Sequence, residues 1–159
     1  MLNTEQIMGQ LLAVLQEGYK GPATPWSYFA DVRENGGFLG SISKLSASDA
    51  SREIAGSSIV AHAHHVAFGM HSAADWIRGN HSPKEWKSSW SLLCVDDTGW
   101  LDLQKKLQEA YDDLRQAIAF HSSDSVFSFG GSVGAIAHLA YHLGAIRQKI
   151  RLLGEVIIS

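Results

Sequence analysis

Residues 137–154 read AHLAYHLGAIRQKIRLLG, which puts His138 and His142 four positions apart in a stretch with helical apolar spacing. Neighbours at that spacing lie on one helix face, close enough for both imidazoles to hold one ion. A second cluster, AHAHHVAFGMH, brings His62, His64, His65 and His71 into another helical stretch. If the two helices face each other, a third imidazole would complete a three-histidine site. Such a site leaves coordination positions open and suits a divalent metal such as Zn, Ni or Fe.

A helix turns ~100° per residue, which says where these rings point. With His138 at zero, Leu139, Leu143, Ile146, Ile150 and Leu153 form an apolar stripe between about 60° and 140°, and His142 lies at about 40°. Gly144, Arg147, Gln148 and Arg151 face water. Both histidines thus sit on the shoulder of the apolar face. In the other helix the core stripe runs through Ile59, Ala63, Val66, Met70 and Ile77. His62 projects nearer that stripe than His65, on the same side. His64 and His71 fall toward the polar face and read as surface residues. His81 and His121 sit near helix ends, as caps or dipole partners. For any one of these rings the competing reading is a core imidazole with satisfied hydrogen bonds.

Other chemistries fit poorly. The zincin pattern requires glutamate directly after the first histidine, where this chain has Leu139. A di-iron bundle requires Glu-x-x-His pairs, and no glutamate here has a histidine three residues on. The single cysteine, Cys94, excludes an internal disulfide and a cysteine-rich zinc site, and it reads as a packing residue after a Trp-rich loop. There is no Gly-rich phosphate loop.

The elements that must position the rings follow from glycine, proline and apolar periodicity. A helix runs from Asn3 to about Tyr19, capped by Asn3 or Thr4, and Lys20–Trp26 (KGPATPW) breaks it. An irregular segment follows, with a short helix from about Gly37 to Leu45 and cap-like serines in SASDASRE. A long helix spans Ile59 to about Arg78, opened by Gly56-Ser57-Ser58 and stopped by Gly79-Asn80. Residues 80–99 form a loop carrying Trp86 and Trp90. Thr98 caps a third long helix, Trp100 to about Phe120. After HSSDSVFSFGGS, Ser132 caps a last helix to about Leu153. Arg147, Lys149 and Arg151 then suit the dipole at its C-terminal end. No strand pattern appears. Four long amphipathic helices in 159 residues predict one all-α domain, a four-helix bundle, although the third helix would equally suit another all-α fold.

The net charge of −3 offers no basic footprint for nucleic acid. MLNTEQIMGQLL lacks the features of a signal peptide, and no run approaches the ~18 apolar residues of a membrane span, so a cytoplasmic location is expected.

SSIVAHAHHVAF, followed ~75 residues later by AHLAYHLGAIRQKIRL, resembles the DinB-like superfamily, which includes DNA-damage-inducible proteins and thiol-dependent transferases. Members open their second helix with Ser or Thr plus an aliphatic residue and place a histidine seven positions after that cap. Their last helix carries a histidine pair four apart, then Gly and an I-R-Q-like tail. WIRGN, SSW and VDDTGW also look like one DinB-like subgroup. The resemblance covers roughly residues 57–153; the first 55 residues match only loosely.

The resemblance implies a four-helix bundle with its metal at one end of the core. Matching the cap to Ser58 selects His65, and the last-helix pair falls on His138 and His142. That leaves His62, the ring nearer the core, as an outer-shell partner or substitute ligand. In thiol-transferase relatives a low-molecular-weight thiol takes the metal's open position, so the expected activity is a metal- and thiol-dependent transferase or isomerase. The alternative is a non-catalytic, stress-related bundle with a structural or vestigial histidine site. Either is expected to be a homodimer, without nucleic acid or membrane as partner; the enzyme would act on a small-molecule substrate. Nothing in the residues identifies a thiol pocket, though Trp76 and Tyr141 are candidates to line a cleft.

Overall fold

The computed structural model describes residues 1–32 and 36–158, the side chains of 155–158 excepted. Six α-helices carry the fold and no strand is present among the described residues: α1 (Thr4–Lys20), α2 (Phe38–Ile42), α3 (Ala47–Ser51), α4 (Ile59–Ile77), α5 (Asp97–His121) and α6 (Val126–Ile158). A 3-10 turn (Trp86–Trp90) lies between α4 and α5. The four long helices form a bundle in which α4 packs on α5 and α6, and α1 packs on the same two from the other side. None of the described helices is long and apolar enough to cross a membrane.

The helix starts obey local capping chemistry. Asn3 forms a reciprocal box with Gln6, and Ser58 accepts from the Ala61 N–H at 3.0 Å. Several boundaries differ from the expected ones. Asp96, not Thr98, caps α5, accepting from Gly99 N at 2.8 Å. A carboxylate two residues before Thr98 is the better acceptor for free N–H groups at the positive end of a helix dipole. The last helix starts at Val126 rather than after Ser132. Ser132 is buried inside it, donating to the Ser128 carbonyl and meeting Ser122 Oγ at 2.6 Å. The glycine pair in FGGS looks like a turn in sequence. Helix is tolerated there because packing against α4 outweighs the ~1 kcal/mol each glycine costs.

The core is one apolar cluster fed by all four long helices, with Leu15 and Tyr19 from α1, Val66 and Met70 from α4, Leu107 and Leu114 from α5, and Leu139, Leu143 and Ile146 from α6. Tyr19 stacks on Tyr111 with centroids 4.2 Å apart. The irregular segment after α1 is tied to this core. The buried Glu17 carboxylate accepts the N–H groups of Tyr28, Phe29 and Ala30 at 2.9, 2.7 and 2.8 Å. Burial pushes its pKa up, but the three N–H donors outweigh that and hold it below 4.5. Gly21 and Gly37 then cross so closely that a Cβ on Gly37 would lie 2.4 Å from Gly21 N.

α6 runs on to Ile158, past the expected end near Leu153, so the cations expected to meet the dipole at its C-terminal end lie inside the helix, with none in the last turn. Lys149 is buried and donates to the carbonyls of Ile54 and Ser57, and Arg147 donates to the Gly36 carbonyl. Lys149 lies eleven residues after His138, hence about 20° from it around the helix, on the same inward shoulder.

Candidate metal centre

His65 on α4 and His138 and His142 on α6 converge, their ligating nitrogens all within 4.8 Å of one another. His138 Nε2 lies 3.0 Å from His65 Nε2 and 3.1 Å from His142 Nε2. His65 and His142 are buried and His138 is half-buried. Those two separations are close to the ones a small cation imposes, since tetrahedral bonds of ~2.0 Å place nitrogens roughly 3.3 Å apart.

At His65 the outer nitrogen fixes which ring atom faces inward. Ser89 Oγ donates to the Trp86 carbonyl at 2.6 Å, so its only proton is spent there. At His65 Nδ1, 2.7 Å away, it acts as acceptor. His65 therefore carries its proton on Nδ1 and presents a bare lone pair at Nε2. His142 Nδ1 meets His62 Nδ1 at 2.9 Å, and His62 Nε2 meets Ser57 Oγ at 3.1 Å. With His142 protonated on Nδ1, its Nε2 is also bare. His62 then accepts at Nδ1 and donates at Nε2. One proton on His138 Nε2 could serve only one of its two neighbours at good geometry, whereas a cation serves all three lone pairs. The donor set therefore fits a metal.

Helical projection put His62 closer to the core than His65, and the structure resolves the pair: His65 joins the α6 histidines and His62 stands behind His142. His62 meets His142 through Nδ1 and is not among the three converging rings.

Burial keeps the cluster neutral. It lowers His62 to about 4, with the Lys149 charge adding to it. It lowers His65 to about 4 and His142 to about 3, with neighbouring imidazoles pushing the same way. Burial alone lowers His138. Neutral imidazoles are the form that binds a metal.

Three supporting features carry no periodicity and were not foreseen. Gly69 leaves room for a ligand ring: a Cβ there would sit 2.7 Å from His138 Cε1. Trp90 stacks on His65 at 4.1 Å and meets His62 edge-on at 5.2 Å, covering the cluster. Ser89, fully buried, holds His65. The only advance signals were the WKSSW stretch itself and a glycine one turn after His65.

Other expectations are corrected. His64 is half-buried rather than a surface residue, and its Nδ1–H donates to the Ser89 carbonyl at 2.7 Å. His71 is exposed, as expected, and pairs with Asp113 at 3.2 Å. His121 ends α5 and pairs with Asp124, while His81 stacks on Trp76 at 4.0 Å rather than capping a helix. Cys94 is exposed, not packed.

A cavity of about 460 Å³ lies between α4, α6 and the segment after α4, and His138 lines it. Trp76 lines it too. Tyr141 does not; it is exposed and sets its ring edge-on to His142 at 5.0 Å. Compared with family models, curated proteins and solved structures, the chain matches none.

Proposed function

We propose that this chain is a DinB-like metal protein that binds a divalent cation (Zn, Ni or Fe) through His65, His138 and His142. We assign it a metal-dependent transferase or isomerase activity that uses a low-molecular-weight thiol. The observation that carries the reading is the convergence of three ligating nitrogens within 4.8 Å. The hydrogen bonds of Ser89 to His65 and of His62 to His142 support it. A cation held there would supply Lewis acidity, lowering the pKa of a thiol or water.

The chain's own residues do the rest. Ser89 and His62 hold two rings in the tautomer that faces inward. Trp90 keeps water off one side. The cavity beside His138 gives a small molecule a way to approach.

Trp90 also favours a second reading. A cluster so covered could be a structural tie between α4 and α6, in a stress-related bundle without catalysis.

The test is elemental analysis of protein expressed with metal supplementation, which should give close to one equivalent of divalent metal. Finding none overturns the metal reading. Thiol consumption with a model electrophile, present in the loaded protein and absent after chelation, supports the enzyme. Equal rates in both favour the structural tie.

A further inference from the structure

The cavity beside His138 has a composition that selects a ligand class. From α4 and α6 it receives residues with little or no side chain: Ala73, Gly131, Gly134 and Ala135. Beside these small residues are the indoles of Trp76, itself on α4, and Trp86, which are 42% and 47% exposed although the bundle core is close by. His81 stacks on one face of Trp76 at 4.0 Å; the surface the two indoles leave exposed is flat and apolar, and a ligand can cover it. The volume, about 460 Å³, lies in the range of small-molecule sites, roughly 300–1,000 Å³.

Besides His138, the polar lining is Ser72, Asn80, His81, Ser82 and Lys84, and the lysine charge is paired. Lys84 is the one lysine or arginine lining the cavity, and it donates to the Asp75 carboxylate. A fixed anion on the ligand would have to compete with that carboxylate. Two glycines make the shape. A Cβ on Gly131 would lie 2.8 Å from Trp76 Cδ1, so the bare backbone is what lets the indole settle on α6. A Cβ on Gly134 would meet nothing within 4 Å, so its side-chain space is open. Glycine inside a helix costs ~1 kcal/mol relative to alanine, and no packing contact at Gly134 requires it.

We infer that this cavity binds a planar, uncharged aromatic molecule against Trp76 and Trp86, with one end of the molecule beside His138. The binding half of this inference stands on the cavity alone. Only the role of that end as the reacting end rests on the metal reading.

The probe is prodan, a neutral naphthalene dye whose emission reports an apolar surround, titrated into the full chain with and without chelator. Saturable one-site binding with a blue shift is expected in both samples. Gly134→Leu should weaken it at least tenfold by filling the cavity. Gly144→Leu, an exposed glycine of the same helix with nothing within 4 Å of its added Cβ, should leave it unchanged. In competition, 2-methylnaphthalene should displace the dye at least as well as 2-naphthalenesulfonate. Absence of saturable binding overturns the inference, as does equal affinity in Gly134→Leu of unchanged helicity. Tenfold better displacement by the sulfonate overturns the uncharged class. Metal content, measured on the same samples, separates these results from the metal reading: a metal-free protein that still binds the dye keeps the cavity and loses the reacting end.

Discussion

His62 Nδ1 lies 2.9 Å from His142 Nδ1, joining α4 to α6 through a hydrogen bond between two buried imidazoles. One ring must carry the proton and the other the lone pair. If His142 is a ligand through Nε2, the proton belongs to His142. His62→Ala should therefore keep all three ligands and still weaken divalent metal binding roughly 10- to 100-fold. Ser89→Ala should act likewise through His65, while His142→Ala should lose the ion outright. Competition titration with a chromophoric chelator measures all three. Wild-type affinity in His62→Ala would mean that the contact orients nothing.

Gly69→Ala tests the room left for His138. The methyl group would arrive 2.7 Å from the ring's Cε1, and the ring must move. Alanine is the better helix former by ~1 kcal/mol, so α4 should persist by circular dichroism while metal affinity falls. His71→Ala, on the exposed face of the same helix, should leave the affinity unchanged.

Acid should destabilise the chelator-treated protein before most carboxylates titrate. The histidines are held below their ordinary 6.5, at about 4 for His62 and His65 and about 3 for His142. Between those values and 6.5 the unfolded chain binds more protons than the folded one, so stability rises with pH across that window. It is fully present above 6.5 and lost as pH falls through the folded values. Urea midpoints at pH 7, 5.5 and 4.5 should decline in that order. The decline should be shallower in a His62→Ala/His142→Ala double variant, and a flat profile in the wild type would show that the rings are not shielded.

Glu17→Gln should cost about 1–3 kcal/mol at neutral pH, because a buried acceptor of three backbone N–H groups becomes an amide that can accept at one atom only. The carboxylate's folded pKa is depressed below 4.5, so its contribution is present above that value and lost as pH falls further. The gap in urea midpoint between wild type and variant should close in strong acid. Limited proteolysis between residues 20 and 32 should be faster in the variant.

Much of the scaffold was legible before any coordinates. Asn3 and Ser58 announce helix starts because a short side chain can reach a free N–H without tertiary help, and Gly79 announces a stop for an equally local reason. The stripe through Leu139, Leu143 and Ile146 is a property of one helix turning ~100° per residue, and it placed His138 and His142 on an inward shoulder. Where local signals conflicted, the chain alone misled. Ser132 looks like a cap and Gly130-Gly131 like a turn, yet packing against α4 carries the helix through both.

What lies between helices had no one-dimensional signature. Projection ranked His62 above His65, because it measures the angle to a helix's own stripe and knows nothing of where the neighbouring helix places its rings. The roles of Ser89, Trp90, Gly69 and Lys149 depend on which backbone passes within 3 Å of which side chain. That distance is set only when α4, α6 and the 3-10 turn are packed together. Sequence determined which residues could be ligands and the helix faces that carry them; tertiary packing decided which nitrogens meet, because imidazole contacts require positioning to a few tenths of an ångström across elements more than seventy residues apart.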